Sequence, residues 1–320
     1  MRTIKMAHQE AEVEASVKEA VESYMFSIQH HSPHTQRFYR AKLEEFATWC
    51  EGEGLELSDV KPKHIQKYTQ HISERNNLRN GQTLSAETSK ANIRAVKTFL
   101  RWCSMEEDFE DSISERTVSR IQLPHVDKTI KRVYSPEEIQ KLLDATKKEV
   151  CVPLRYRDHA IISLLLYTGI RAQELCSLTL DNIFVGNGHD SYIRVKGKGR
   201  KEREISLGTE AARSLYRYIH RYRRSHRPEV FIGYTGNAIN TNGLAQIIER
   251  VGELAGLDDV HCHKFRHTFS VNFMESGGSL FDLQRLLGHT NTTTTSIYLQ
   301  AYTSTQARRN GIATIERMYR

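Results

Sequence analysis

The 320-residue chain lacks what would mark it as secreted, membrane-spanning or built around a metal. Its five cysteines, Cys50, Cys103, Cys151, Cys176 and Cys262, are scattered, odd in number and without a Cys-x-x-Cys pair. That excludes a disulfide framework and a zinc knuckle, and a reducing cytoplasm is the expected compartment. The longest aliphatic run, Ile161-Ile162-Ser163-Leu164-Leu165-Leu166, falls far short of the roughly 20 residues that span a bilayer. Met1 is followed by a charged polar stretch instead of a leader, so no membrane partner is expected. There is no internal repeat, and the only low-complexity tract is a short threonine run. No glycine-rich nucleotide loop is present, and the acidic residue of a His-Glu-x-x-His site is missing between His263 and His267. The chain is therefore expected to work without ATP, a divalent ion or any other cofactor.

What is present is positive charge, unevenly placed. Lys and Arg number 46 against 39 Asp and Glu, a formal +7 with a sequence pI near 9.1. Residues 1–125 carry 17 basic and 19 acidic side chains, a balance of −2, and the remainder carries 29 and 20, a balance of +9. A basic second half fits a polyanionic partner. The length suits two domains, since one core serves about 100–200 residues.

Residues 1–16 are polar and weakly patterned, a lead-in. Ser32-Pro33 starts a helix that Gly52 and Gly54 end, Lys61-Pro62 opens another, and a third runs from Ser85 to about Met105. On that third helix Ile93, Val96 and Leu100 share one face, while Lys90, Arg94, Lys97 and Arg101 recur at i, i+4, i+7 and i+11 on another. Residues 118–133 read as a linker. Ser135-Pro136-Glu137-Glu138 is a capping box that opens the second domain. Three short extended runs, 182–185, 192–195 and 202–207, separated by glycine-containing turns, predict a small antiparallel meander. Residues 210–226 and 241–254 read as helices.

The chemistry is concentrated in His261-Cys262-His263-Lys264-Phe265-Arg266-His267, on a predicted helix. Phe265, Phe269 and Phe273 form its apolar stripe, expected to be core, while His263 and Arg266 share a different face and suit a phosphate. Upstream, Thr168-Gly169-Ile170-Arg171-Ala172-Gln173-Glu174-Leu175 reads as a tight turn opening a helix. Val195-Lys196-Gly197-Lys198-Gly199-Arg200-Lys201-Glu202-Arg203 reads as a glycine-punctuated basic hairpin. Downstream come Leu286-Leu287-Gly288-His289 and then Tyr298.

An Arg, a Lys, a His-x-x-Arg, a Leu-Gly-His and a Tyr in this order closely resemble the tyrosine recombinase (phage integrase) family, in particular its simple Xer and transposon types. The motifs cover residues 134–300; residues 17–110 match by general pattern only. The resemblance implies a mainly α fold with a small β-meander (α+β). It would comprise a helical, SAM-like core-DNA-binding domain over 17–117 and a catalytic domain over 134–302. It implies strand cleavage and rejoining at specific double-stranded DNA sites through a 3′-phosphotyrosyl intermediate, by a homo-tetramer holding two sites and passing through a Holliday junction.

Residue by residue, Tyr298 matches the nucleophile, and Arg171 and Arg266 the two guanidiniums that meet charge developing on the phosphate. Lys198 best matches the general acid, with Lys196 and Lys201 close by as alternatives or backbone-phosphate contacts. His263 would accept the tyrosine proton or bond a phosphate oxygen, and His289 would donate to the phosphate. Glu174 either makes an ordinary ion pair with Arg171 or holds it in place. The Lys90, Arg94, Lys97 and Arg101 stripe is either a solvated face or, as the resemblance implies, a DNA-facing one. In the tail, 303–320, Ile312, Ile315 and Tyr319 form a short apolar stripe that needs a covering surface. That surface is its own domain or, by resemblance, the neighbouring protomer. A type IB topoisomerase-like enzyme shares this chemistry but swivels one duplex. A DNA-binding regulator with a decayed site is the non-enzymatic alternative, and the complete catalytic set argues against it.

Overall fold

Short polar side chains ahead of apolar runs decide where the helices begin. A computed structural model describes residues 15–75, 83–126, 132–186, 191–197 and 202–288. The chain separates into two units, Met1–Thr129 and Ile130–Arg320. In the first, α1 (Val17–Ser27) starts at a reciprocal cap. The Glu19 amide donates to Ser16 Oγ at 3.2 Å, and the Ser16 amide donates to Glu19 Oε2 at 3.1 Å. Serines 32, 85 and 114 cap α2 (Pro33–Gly52), α4 (Ala86–Cys103) and α5 (Glu115–Ser119) by accepting the amide three residues on, and α3 (Pro62–Glu74) begins on its proline. These helices close over one core in which Leu43, Phe46, Tyr68, Ile72, Phe99 and Leu100 are wholly buried. Tyr24 joins three of its walls, meeting Tyr39, Phe99 and Trp102 edge-on with ring centroids 5.4–5.7 Å apart.

The second unit is assembled around α7 (Val152–Thr168), whose Ala160, Ile161, Ile162, Leu164 and Leu165 are buried on every side, as a helix without a polar face must be. It packs against α6 (Pro136–Thr146), α9 (Thr209–Arg217) and α11 (Cys262–Glu275). Between α8 (Ala172–Cys176) and α9 lies an antiparallel sheet in the order β1 (Ile183–Phe184), β2 (Tyr192–Lys196), β3 (Glu202–Ser206). Its register pairs Val195 with Arg203 and Lys196 with Glu202. α10 (Thr241–Ala255) and α12 (Leu280–Leu287) complete the described elements, and α12 lies against α11 and β3. The expected class, mainly helical with a small antiparallel sheet, is the observed one.

Two local expectations need correction. The helix expected over 210–226 is α-helical only to Arg217 and continues as a π turn over Tyr218–Tyr222. It stops there because the Arg223 guanidinium donates to the carbonyls of Ser225, Glu229 and Val230 and folds the chain back. The phenylalanine stripe of α11 does not form one core either. Phe265 is buried in the main cluster, whereas Phe269 and Phe273 are half-buried against Leu280, Leu283 and Leu287 of α12.

All five cysteines are free, and burial pushes the Cys50 and Cys103 thiols up to about 12, so both act as apolar packing. Among the described residues no helix is long and apolar enough to cross a membrane. The lead-in up to residue 14, the tail 303–320, and Lys198, Lys201, His289 and Tyr298 lie outside the described residues.

Gly169 ends α7 in the left-handed region at φ 60°, and a Cβ there would stand 2.5 Å from the Phe269 ring. Gly256 ends α10 at φ 68° with open space around it. Gly256→Ala should therefore cost only the backbone strain, about 1 kcal/mol, and Gly169→Ala about 2–4 kcal/mol because overpacking adds to it. Urea denaturation of the two variants measures the difference; equal losses would mean that Phe269 yields freely.

Candidate active site

The last carbonyls of a helix have no partner within it and carry the negative end of its dipole. At the end of α12 three arginines supply the partners. Arg203 Nε donates to the Leu286 carbonyl at 2.8 Å, Arg266 Nη2 to Leu287 at 2.8 Å, and Arg171 Nη2 to Gly288 at 2.9 Å. Arg266 Nη1 also donates to the Gly169 carbonyl at 2.7 Å, so one guanidinium from α11 ties the end of α7 to the end of α12. Gly288 is left-handed at φ 61°, and a Cβ on it would lie 3.0 Å from Arg203 Nη1. Gly288 thus allows the Arg203 guanidinium to come close to the backbone.

Each arginine arrives by a different local route. Arg171 is the residue before α8, where the chain is still extended. Its amide donates to Glu174 Oε2 at 3.0 Å, a cap that fixes the backbone from which its side chain departs. Arg266 lies on the buried face of α11 and is only 3% exposed, beside buried His267, Thr268 and Ser270. That polar face is kept satisfied internally. Ser270 Oγ donates to the Arg266 carbonyl at 2.7 Å, and Thr268 Oγ1 accepts the Tyr134 amide at 3.1 Å while donating to the Lys264 carbonyl. Arg203 comes from β3, on the same face as buried Ile205.

Glu174, 4% exposed, binds this group together. Its Oε1 accepts from Arg171 Nη1 at 2.8 Å and Arg203 Nη1 at 2.7 Å, and its Oε2 accepts from Arg203 Nη2 at 2.8 Å and from the Arg171 amide. Burial pushes its carboxyl up, but the Arg203 fork, the Arg171 amide and the Arg171 side chain together outweigh burial and hold it below the usual carboxylate range.

Of the remaining expected residues, His263 is exposed in the first turn of α11, three positions before Arg266. Lys196 ends β2 with its side chain mostly in solvent, 3.5 Å from Glu202 across the strand pair, a contact of little energetic weight. On α4, Arg94 and Arg101 are exposed, and Lys90 and Lys97 are half-buried. Lys97 Nζ donates to the Ile121 carbonyl at 2.5 Å and so braces α4 against the segment after α5. Arg203 ends the basic hairpin segment but has no expected catalytic role, yet it meets the same helix end as Arg171 and Arg266. Its signal is the strand period, since Arg203, Ile205 and Leu207 alternate inward and a charge stands where the pattern calls for an apolar side chain. Among the described residues no group of three or more His, Cys, Asp or Glu side chains stands together as metal ligands would.

The family model described as the phage integrase family matches residues 132–305, more than half of the chain. This chain belongs to the phage integrase family. A second model, the phage integrase N-terminal SAM-like domain, matches residues 21–107. Among curated proteins, tyrosine recombinase XerC of Oceanobacillus iheyensis is 30% identical over 297 residues, covering 88% of this chain and 92% of the relative. Tyrosine recombinase XerD of Corynebacterium glutamicum is 27% identical over 276 residues, covering 83% and 87%. Solved structures of the same fold include the XerH site-specific recombinase bound to a palindromic difH substrate after cleavage. That structure has a TM-score of 0.67 at 21% identity and covers 88% of this chain and 80% of that one. The Tn1549 transposon integrase in complex with circular intermediate DNA has a TM-score of 0.69 at 18% identity, covering 89% and 95%. The phage integrase family member described here is a tyrosine recombinase, an enzyme of DNA strand breakage and rejoining in site-specific recombination.

A carboxylate whose folded pKa lies below its unfolded value contributes stability that is present above the unfolded pKa, about 4.3, and lost as pH falls through the folded one. Glu174 is such a group. Wild type should therefore be more stable than Glu174→Gln at pH 7, and the gap should shrink as pH drops below about 4. Urea midpoints of both proteins between pH 7 and 3.5 measure it, and a gap independent of pH would contradict the assignment.

Proposed function

We propose that Arg171 and Arg266 hold the scissile phosphate of a DNA strand while Tyr298 attacks it. The tyrosine oxygen forms a bond to phosphorus, the bond to the 5′ oxygen breaks, and the strand is left as a 3′-phosphotyrosyl with a free 5′ hydroxyl. Lys198 protonates the departing 5′ oxygen, and His263 takes the tyrosine proton or bonds a phosphate oxygen. His289 donates to the phosphate, and Glu174 holds Arg171 in place. Attack by another strand's 5′ hydroxyl reverses the step and rejoins the DNA. Because the phosphodiester energy is kept in the tyrosyl bond, no nucleotide is consumed.

The observation that carries this reading is that Arg171 and Arg266 bond consecutive carbonyls, Gly288 and Leu287, immediately before His289 in sequence. A guanidinium already fixed by protein carbonyls meets developing charge without reorganising, and this is where such a donor is most effective. Lys196 and Lys201 flank Lys198 as contacts to the DNA backbone. On α4 the exposed Arg94 and Arg101 face DNA, with Lys90 beside them and Lys97 supporting the helix from behind. The domains are read as 17–117 for core-DNA binding, 118–133 for the linker and 134–302 for catalysis. The tail 303–320 docks on the neighbouring protomer of a homo-tetramer that holds two duplex sites. The working compartment is the cytoplasm, consistent with five free cysteines.

The test uses a nicked suicide duplex built on the sequence that the wild-type chain selects from a random duplex pool. Wild type should accumulate a covalent protein–DNA adduct, and Tyr298→Phe should bind with unchanged affinity and form none. An adduct from Tyr298→Phe would remove Tyr298 from the reaction.

A further inference from the structure

Arg203, the last residue of the basic hairpin segment, has no expected catalytic role, yet it makes three hydrogen bonds at the centre of the site. Two are the fork on Glu174, at 2.7 and 2.8 Å, and the third goes from its Nε to the Leu286 carbonyl. Glu174 carries one negative charge and would pair with Arg171 whether or not Arg203 were there. With Arg171 alone, carboxylate and guanidinium would cancel, and the phosphate would meet a neutral pair. With Arg203 present, the group of two arginines and one carboxylate keeps a net positive charge. Arg171 is its solvent-facing member, its side chain 36% exposed against 13% for Arg203 and 4% for Glu174.

We infer that Arg203 is a positioning residue that offsets the charge of Glu174, so that Arg171 is held by the carboxylate without losing its charge to it. This rests on the reading of Arg171 as a phosphate-binding group. Geometry adds a second link. Arg203 lies in β3, five residues after Lys198 in the chain, so the same side chain anchors that strand to α8 through Glu174 and to α12 through Leu286. The fork matters for this, because both carboxylate oxygens are engaged in parallel, as only a guanidinium can do.

The experiment compares full-length wild type, Arg203→Met, Arg203→Lys and the double variant Glu174→Gln/Arg203→Met. Adduct formation on the nicked suicide duplex and affinity for the same duplex are both measured. Arg203→Met should slow adduct formation by about a hundredfold, the scale of one lost charge-stabilising donor, with affinity changed less than about threefold. Removing the uncompensated carboxylate as well should restore at least about tenfold of that rate, which a purely structural role for Arg203 would not do. A double variant as slow as Arg203→Met, or an Arg203→Met as fast as wild type, would overturn the inference. Should Arg203→Met not fold, Arg203→Lys decides: it keeps the charge and should retain adduct formation within about tenfold of wild type, and a greater loss would overturn the role of charge. A wild type that forms no adduct would bring down the phosphate reading itself, whereas a wild type that cleaves beside an unaffected Arg203→Met would bring down only this inference.

Discussion

The carbonyl end of α12 is the constraint on which the catalytic unit depends. Leu286, Leu287 and Gly288 present consecutive acceptors at the negative end of a helix, and each takes a guanidinium from a different element, β3, α11 and the turn before α8. Orphaned acceptors in such a place are costly, and cations there are favoured by the helix dipole as well as by the hydrogen bonds. Much else follows from bringing three long charged side chains to one corner. Gly288 keeps the backbone open to Arg203, Gly169 leaves room for the Phe269 ring, and Phe269 and Phe273 hold α12 against α11 so that the carbonyls stay in reach. Beside its apolar stripe, α11 also buries a polar face, with its hydroxyls bonded internally.

Three cations so close together would repel one another and raise the cost of folding. Glu174 relieves this by accepting four N–H donors from two of them, which also explains why its carboxyl lies below the usual range despite burial. The arrangement has the properties of a preorganised anion site: guanidiniums fixed by protein acceptors, and an excess of positive charge that the carboxylate does not cancel. The overall +7 of the chain, concentrated beyond residue 125, favours a polyanionic partner at this unit, and in the proposed reading the local arginines fix where a single phosphate rests.

Much of this was legible from the residues. Arg171 and Arg266 stood out by motif, the three strands by turn glycines and alternation, and α6 by its Ser135 to Glu138 cap. Arg203 stood at the end of the basic hairpin segment without a role of its own, because its role shows only when a charge on the inward face of a strand is taken as a signal instead of an irregularity. The start of α1 was equally present in the Ser16-x-x-Glu19 cap and the apolar positions Val17, Ala20, Val21 and Tyr24, but a polar lead-in obscured it. The phenylalanines of α11 share a face by period, yet period cannot say that one core covers Phe265 and another covers Phe269 and Phe273. The π turn at Tyr218 follows from carbonyls gathered by Arg223 from residues further along, which no local propensity encodes. Lys97 carries the charge of a DNA-facing stripe, but its ammonium reaches a carbonyl 24 residues away, a contact set by the tertiary fold.

The most direct measurement is a crystal structure of the chain on a nicked duplex with orthovanadate in place of the scissile phosphate, since vanadate adopts the five-coordinate geometry of the transferring group. The account predicts vanadium bonded to Tyr298 Oη, its equatorial oxygens on the Arg171 and Arg266 guanidiniums, and Arg203 still forked on Glu174. Vanadate bound away from both arginines, or Arg203 released from Glu174 to bind it, would contradict the account.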